Sequence, residues 1–173
     1  MDESNVPAWH DFFTVSGTAA AALLGLVLVA ISLHLEQIER DPLLRNRAFV
    51  TLQALTTALV ISLVALIPHV TALWFGAITV AVNAAYIGLL GWSLLNARRM
   101  AGGIPGHVWR RVIPNALALV SMAAGISLML GQGPGLFLLA PSVILLLPAM
   151  MFSTWNLLFP PELHLPNPDR ELK

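Results

Sequence analysis

The chain has 173 residues, of which 57% are hydrophobic and only 10% are charged, and its mean hydropathy is +0.79. Soluble domains usually carry about 25% charged residues, so this composition excludes an ordinary cytosolic enzyme and a disordered protein. Nine Lys and Arg balance nine Asp and Glu, and without a basic excess to neutralise phosphates we expect no binding to nucleic acid. Most of the chain is therefore expected to lie in lipid.

Five apolar runs follow one another along the chain, and none contains an Asp, Glu, Lys or Arg. A helix needs about 20 apolar residues to cross a bilayer, and runs that are continuous rather than alternating favour helices over barrel strands. The sequence therefore predicts an all-α integral membrane bundle of five transmembrane helices, in one domain over residues 1–159. The predicted spans are residues 12–35, 49–70, 73–95, 112–130 and 136–159.

The segments that connect the predicted spans differ in charge. Residues 68–71 and 131–135 are short and uncharged. Residues 36–48 and 96–111 are longer, and the first holds three arginines and three acidic residues, the second four arginines and no acidic residue. Residues 160–173 are rich in proline and polar side chains, so we expect a tail on the membrane surface.

These charges predict an orientation. With five spans, the two longer loops and the tail share one side, which holds nine Lys and Arg and six Asp and Glu, a net charge of +3. The other side holds Asp2, Glu3 and Asp11, a net charge of −3. The positive-inside rule then predicts the N-terminus outside and the C-terminal tail in the cytoplasm, that is, N-out/C-in.

Spans two and three resemble spans four and five. Each pair follows an arginine, Arg47 or Arg111, and each ends in a Trp-x-Leu-Leu segment, Trp92–Leu95 or Trp155–Leu158. One description of the fold is therefore a single helix followed by two parallel helical hairpins. The other is a chance similarity, because Trp followed by Leu is common at membrane interfaces.

A ridge of small side chains runs along the first predicted helix. Gly17, Ala21 and Gly25 recur at four-residue spacing, which permits the close approach of another helix. We interpret this ridge as a packing face, either within the bundle or between copies of the chain. The prediction of a homo-oligomer depends on it, because five helices enclose little polar space by themselves.

A second line of side chains on the same helix begins with the hydroxyl of Ser16 and ends with the imidazole of His34. If several copies of this helix surrounded an axis, the line would form a narrow pore for ions or small solutes. His34 would add pH sensitivity, or it would simply reach the lipid headgroups. The candidate pore-lining residues are Ser16, Ala20, Leu23, Val27, Ala30 and His34.

Amides, hydroxyls and prolines interrupt the other spans. Asn83 lies about ten residues from either end of its span, so its amide is expected to face the bundle and to bond across helices. We interpret it as a helix-packing residue, and the lining of a permeation path is the alternative. Pro141 and Pro148 predict a kink in the last span.

No sequence pattern predicts catalysis or a cofactor. The chain has no cysteine and lacks the motifs of serine hydrolases, zinc proteases and phosphate loops. His10, Asp11 and His69 fall on the same predicted side, but their spacing does not require a metal, and we predict no metal site. The spans hold no carboxylate or base that would couple transport to an ion. We therefore expect a protein that is not an enzyme.

Two arginine pairs in residues 96–111 are expected to bind anionic lipid headgroups. They are Arg98, Arg99, Arg110 and Arg111. The predicted partners are the lipid bilayer and other copies of the chain. In an alternative interpretation, the protein is an accessory or regulatory subunit that binds another membrane protein complex through its helices and basic loops. A lipid-handling role is a third interpretation.

The first 50 or so residues resemble a family of known sequences. The resemblance rests on residues 9–13 (Trp-His-Asp-Phe-Phe), Gly17, residues 19–26, residues 31–35 and residues 41–45. This pattern is similar to that of small actinobacterial multi-pass membrane proteins, some of which are labelled as modulators of a membrane AAA protease. The resemblance implies a bacterial plasma-membrane location and a role that is not enzymatic, and it implies no catalytic residue.

Overall fold

The computed structural model describes residues 9–40, 42–101, 109–131 and 135–158. The regular structure in these ranges is entirely helical. The helices are α1 (His10–Leu33), α2 (Leu35–Arg40), α3 (Pro42–Ala65), α4 (Ala72–Ala101), α5 (Trp109–Met129) and α6 (Gly135–Leu158). The tail of residues 160–173, together with Asp2 and Glu3, lies outside the described residues.

The prediction of an all-α fold is confirmed for the described residues, and four helical segments in them are long and apolar enough to cross a membrane. They are His10–Leu33, Leu44–Ala65, Ala72–Trp92 and Gly135–Trp155. The apolar part of α5, Pro114–Met129, is shorter. At 1.5 Å per residue it measures about 24 Å, against a hydrocarbon core of about 30 Å. The fifth span and the orientation therefore stay predictions.

The helix ends differ from the predicted span ends where prolines intervene. Helix α3 begins at Pro42, seven residues before the predicted start, because proline is favoured in the first turn of a helix. It ends at Ala65, since the residue before Pro68 is pushed out of the helical conformation. His69 then adopts a left-handed backbone with φ of 60°, which reverses the chain into α4.

Helix α3 is the central helix of the bundle, and α1 is the most exposed of the four spanning segments. Helix α3 packs against α1, α2, α4 and α6, and α5 lies between α4 and α6. Half of the most apolar window of the α3 segment is buried, against 28% of that of α1. Helix α1 therefore has a broad surface that the described residues do not cover.

The α4–α5 pair makes a larger contact than either predicted hairpin. A Cβ built at Gly76 would lie 2.5 Å from the carbonyl oxygen of Gly125, and one at Gly125 would lie 3.0 Å from that of Gly76. Side chains have no room at this crossing, so the two glycines let the backbones of α4 and α5 meet.

Two apolar clusters fill the interior on either side of the middle of the bundle. Phe13 of α1 and Phe75 of α4 meet edge to face in the first, with ring centroids 5.6 Å apart. Val27 of α1, Leu55 of α3 and Tyr86 of α4 belong to the second. Helix α6 continues through both of its prolines as one helix, and the predicted kink stays a prediction.

Candidate functional site

The predicted pore-lining face of α1 is turned into the bundle. Ser16, Ala20, Val27 and Ala30 are at most 5% exposed, and Leu23 and His34 are half-buried. The Oγ of Ser16 lies 3.5 Å from the Oγ of Ser62 in α3. This face is therefore a packing surface within one chain. Copies of the chain could share it around an axis only if α1 separated from α3, and the assignment of these residues to a pore between copies stays a prediction.

His34 occupies the turn between α1 and α2. Its Nδ1 lies 3.2 Å from the carbonyl oxygen of Ala30, one turn earlier in α1. The imidazole thus lies against the last turn of its own helix.

The predicted small-residue ridge of α1 divides between two surfaces. A Cβ at Gly17 would lie 3.1 Å from the Cβ of Ser62, so this glycine packs against α3. Ala21 and Gly25 are exposed, and nothing lies within 4 Å of a Cβ built at Gly25. The first residue of the ridge serves packing within the chain, and the other two face outward.

An exposed line on α1, which we name the outward stripe, continues from those two residues. It consists of Thr14, Thr18, Ala21, Gly25 and Ser32, whose spacing of three, four or seven residues places them on one face of the helix. Leu28 is the large residue within the line.

The hydroxyls of the outward stripe are already bonded within α1. Thr14 and Thr18 each donate to a carbonyl oxygen four residues earlier at 2.8 Å, and Ser32 donates to that of Val29 at 2.9 Å. The stripe can therefore lie in an apolar environment without unpaired hydroxyls. Small and hydroxyl side chains are typical of surfaces where transmembrane helices meet.

A small polar cavity, which we name the central cavity, lies between α3, α4, α5 and α6. Its volume is about 20 Å³, counted as the space open to the centre of a water molecule. Pro114 and aliphatic side chains complete a lining whose polar members are Thr57, Asn83, Tyr86, Ser121 and Ser142. The cavity therefore brings polar side chains from four helices together inside the bundle.

Most polar side chains around the central cavity have hydrogen-bond partners. The Nδ2 of Asn83 donates to the carbonyl oxygen of Thr79 at 2.8 Å and to the Oγ of Ser121 at 3.1 Å, which joins α4 to α5. Thr57 and Ser142 donate to carbonyl oxygens of their own helices. The hydroxyl oxygen of Tyr86 is also buried, but it has no hydrogen-bond partner among the described residues.

Sequence reasoning selected Asn83 and did not select Tyr86, Ser121 or Ser142 of the central cavity. A signal for Tyr86 was present, because it is the one tyrosine of the chain and follows Asn83 by three residues, on the same helix face. Ser121 and Ser142 gave no such signal, since serine bonds readily to its own helix backbone and occurs on any helix face.

His10, Asp11 and His69 do not line the central cavity. His10 and Asp11 are exposed, with the Nδ1 of His10 3.5 Å from the carboxylate, and His69 is exposed after α3. In the described ranges, no three His, Asp or Glu side chains gather in a way that would hold a metal ion. The structure does not describe the side chains of the two arginine pairs, Arg98, Arg99, Arg110 and Arg111. Their binding to lipid headgroups therefore stays a prediction.

Together these features define an all-helical protein whose four long apolar helices are consistent with a multi-pass membrane protein. The chain matches no protein-family model, no curated protein and no solved structure. Its resemblance to the actinobacterial membrane proteins is therefore still a prediction from the N-terminal residues.

Proposed function

We propose that the protein is a non-enzymatic membrane protein that assembles as a homo-oligomer through the outward stripe of α1. The observation that carries this proposal is the open space at Gly25, which has nothing within 4 Å of a Cβ position. A surface that meets only lipid has no use for glycine, which weakens a helix, whereas helices that touch need small side chains. A second copy presents the same stripe, so two copies can approach closely.

The predicted pore for ions or small solutes would then have a different lining. Around an axis formed by outward stripes, Thr14 and Thr18 would lie near one mouth and Ser32 near the other. No charged side chain lies on the stripe, which favours a mostly apolar pore that gates by dewetting.

Reconstituted protein should give bilayer currents that Gly25→Ile abolishes. Currents that this substitution leaves unchanged would contradict a pore along the stripe.

A second exposed surface favours an alternative function, that of an accessory or regulatory subunit for another membrane protein. Gly88 and Gly91 of α4 also have nothing within 4 Å of a Cβ position. This surface would receive a helix of a foreign partner, whereas the outward stripe would receive a second copy.

We also propose that α5 crosses the membrane in an N-out/C-in topology, in a bacterial plasma membrane. The whole of α5 has 21 residues, or about 32 Å at 1.5 Å per residue. It packs between α4 and α6, whose apolar segments are both of spanning length. These two facts support a fifth span despite the shorter apolar part of α5.

The mass of the particle in lipid nanodiscs tests the homo-oligomer. We expect a protein mass that is a multiple of 18.6 kDa for the natural chain, and 18.6 kDa for Gly25→Ile. Gly88→Ile is the matched control, because the added side chain meets equally open space on α4.

Each other result of that experiment has a defined meaning. A monomer from the natural chain would contradict self-assembly. Dissociation by Gly88→Ile but not by Gly25→Ile would move the interface to α4. Copurification of a foreign membrane protein in a fixed ratio would favour the accessory subunit.

A further inference from the structure

The hydroxyl of Tyr86 is a buried donor without a protein partner in the described part of the chain. Tyr86 is 2% exposed, and its side chain lines the central cavity. Buried hydroxyls in folded proteins are almost always bonded, either to protein or to ordered water. Tyr86 is one of the residues that line the central cavity, so the cavity is a space in which a partner for this hydroxyl can lie.

The size of the central cavity limits what can occupy it. A water molecule needs roughly 10–15 Å³ of space for its centre, and the cavity offers about 20 Å³. This space admits one water molecule but not a sugar, a lipid chain or a quinone ring.

The chemistry of the lining also favours water. The lining contains hydroxyl and amide groups and no charged side chain, so it has nothing to balance the charge of a cation or an anion. A buried water needs two to four polar partners. Tyr86 supplies a donor, and Asn83 and Ser121 bring further polar atoms to the same cavity.

We propose that the central cavity is a hydration site, in which one ordered water molecule accepts a hydrogen bond from the hydroxyl of Tyr86. Water itself both donates and accepts, so it connects α4 with the polar side chains of the neighbouring helices. This site belongs to each single chain and does not depend on the proposed homo-oligomer.

Two substitutions that each remove one buried hydroxyl test this proposal. Tyr86→Phe removes the donor to the water. Thr79→Val is the matched control, because the Oγ1 of Thr79 is also buried without a partner in the described residues, but Thr79 packs near Gly125 and does not line the cavity. We expect Tyr86→Phe to lower the midpoint of thermal unfolding in nanodiscs and Thr79→Val to leave it unchanged or to raise it.

The sign of the Tyr86→Phe effect decides the outcome. If the hydroxyl of Tyr86 had no partner in the cavity, Tyr86→Phe would remove an unfavourably buried group, and the midpoint of unfolding would stay the same or rise. Such a result would overturn the hydration site.

Nuclear magnetic resonance on the natural chain gives a second, direct measurement. Because Tyr86 is the one tyrosine of the chain, isotopic labelling of tyrosine produces a signal from this ring alone. We expect cross-relaxation between the hydroxyl proton of Tyr86 and a long-lived water. The measurement is repeated in matched samples of deuterated and protonated lipid. Cross-relaxation with lipid protons instead of water, or with neither, would overturn the proposal.

Discussion

The Nδ2 of Asn83 lies 3.1 Å from the Oγ of Ser121, and the hydrogen bond between them joins α4 to α5 inside the bundle. The same amide also donates to the carbonyl oxygen of Thr79, one turn earlier in α4. Both hydrogens of the amide therefore have partners, and Asn83 can lie buried among apolar side chains. The next turn of α4 places Tyr86 beside the same cavity.

We expect the Asn83–Ser121 bond to appear as an energetic coupling between the two residues. Interhelical hydrogen bonds in a membrane protein average about 0.6 kcal/mol and reach about 1.7 kcal/mol. A double-mutant cycle with Asn83→Ala and Ser121→Ala, measured as the free energy of unfolding in lipid, should give a coupling in this range.

The control for that cycle pairs Asn83→Ala with Thr56→Ala. Thr56 is exposed and donates to the carbonyl oxygen of Leu52 in its own helix, so the two effects should add. If the effects of Asn83→Ala and Ser121→Ala on the free energy of unfolding also add exactly, the hydrogen bond contributes nothing to the stability of the contact between α4 and α5.

The close crossing of α4 and α5 predicts opposite effects for two glycine substitutions. Gly125→Ala introduces a Cβ that meets the backbone of Gly76 and the side chain of Val80, and overpacking of this kind costs about 1–3 kcal/mol. Gly88→Ala meets open space, so the higher helix propensity of alanine should stabilise the protein by about 0.5–1 kcal/mol. The measurement is the free energy of unfolding of both variants. Equal effects would argue against the backbone contact.

Two neighbouring alanines report which face of α1 packs inward. Ala20 is fully buried and Ala21 is exposed. Ala20→Leu should destabilise the single chain by about 1–3 kcal/mol, whereas Ala21→Leu should leave its stability within about 0.5 kcal/mol. Both variants are compared under conditions that keep the protein monomeric. The reverse order would mean that α1 is rotated about its axis.

Cysteine labelling tests whether α5 crosses the membrane. The chain contains no cysteine, so Glu39→Cys, Pro68→Cys and Leu130→Cys each give a single exposed thiol. With five spans, a reagent that cannot cross the membrane should label positions 68 and 130 from outside and position 39 only after the membrane is opened. Labelling of position 130 together with position 39 would show that α5 does not cross.

The sequence could predict the class of fold because lipid imposes a simple rule on composition. Continuous apolar runs such as residues 12–35 indicate helices, and four segments of spanning length are confirmed. The ends were harder to predict, because Pro42 can start a helix within a charged segment. Apolar residues cover nearly every face of these helices, so periodicity does not show which face meets protein and which meets lipid.

That last limit applies to α1. Ser16 and Ala20 were assigned to a pore between copies, yet both are buried in the single chain and Ser16 lies against Ser62 of α3, whereas Gly25 lies on the open side. The central cavity escaped prediction for another reason, since it needs side chains from helices that are far apart in the sequence. The sequence pointed to Asn83 because an amide in lipid needs a hydrogen-bond partner, but this need does not identify Ser121 as the partner.

Crosslinking of single cysteines in native membranes tests the central proposal, that α1 meets a second copy through its outward stripe. Gly25 and Leu26 are both exposed and lie at nearly the same depth, but they point about 100° apart on the helix. We expect Gly25→Cys to give covalent dimers on mild oxidation and Leu26→Cys to give almost none. Dimers from Leu26→Cys, or equal amounts from both, would contradict an interface at the outward stripe.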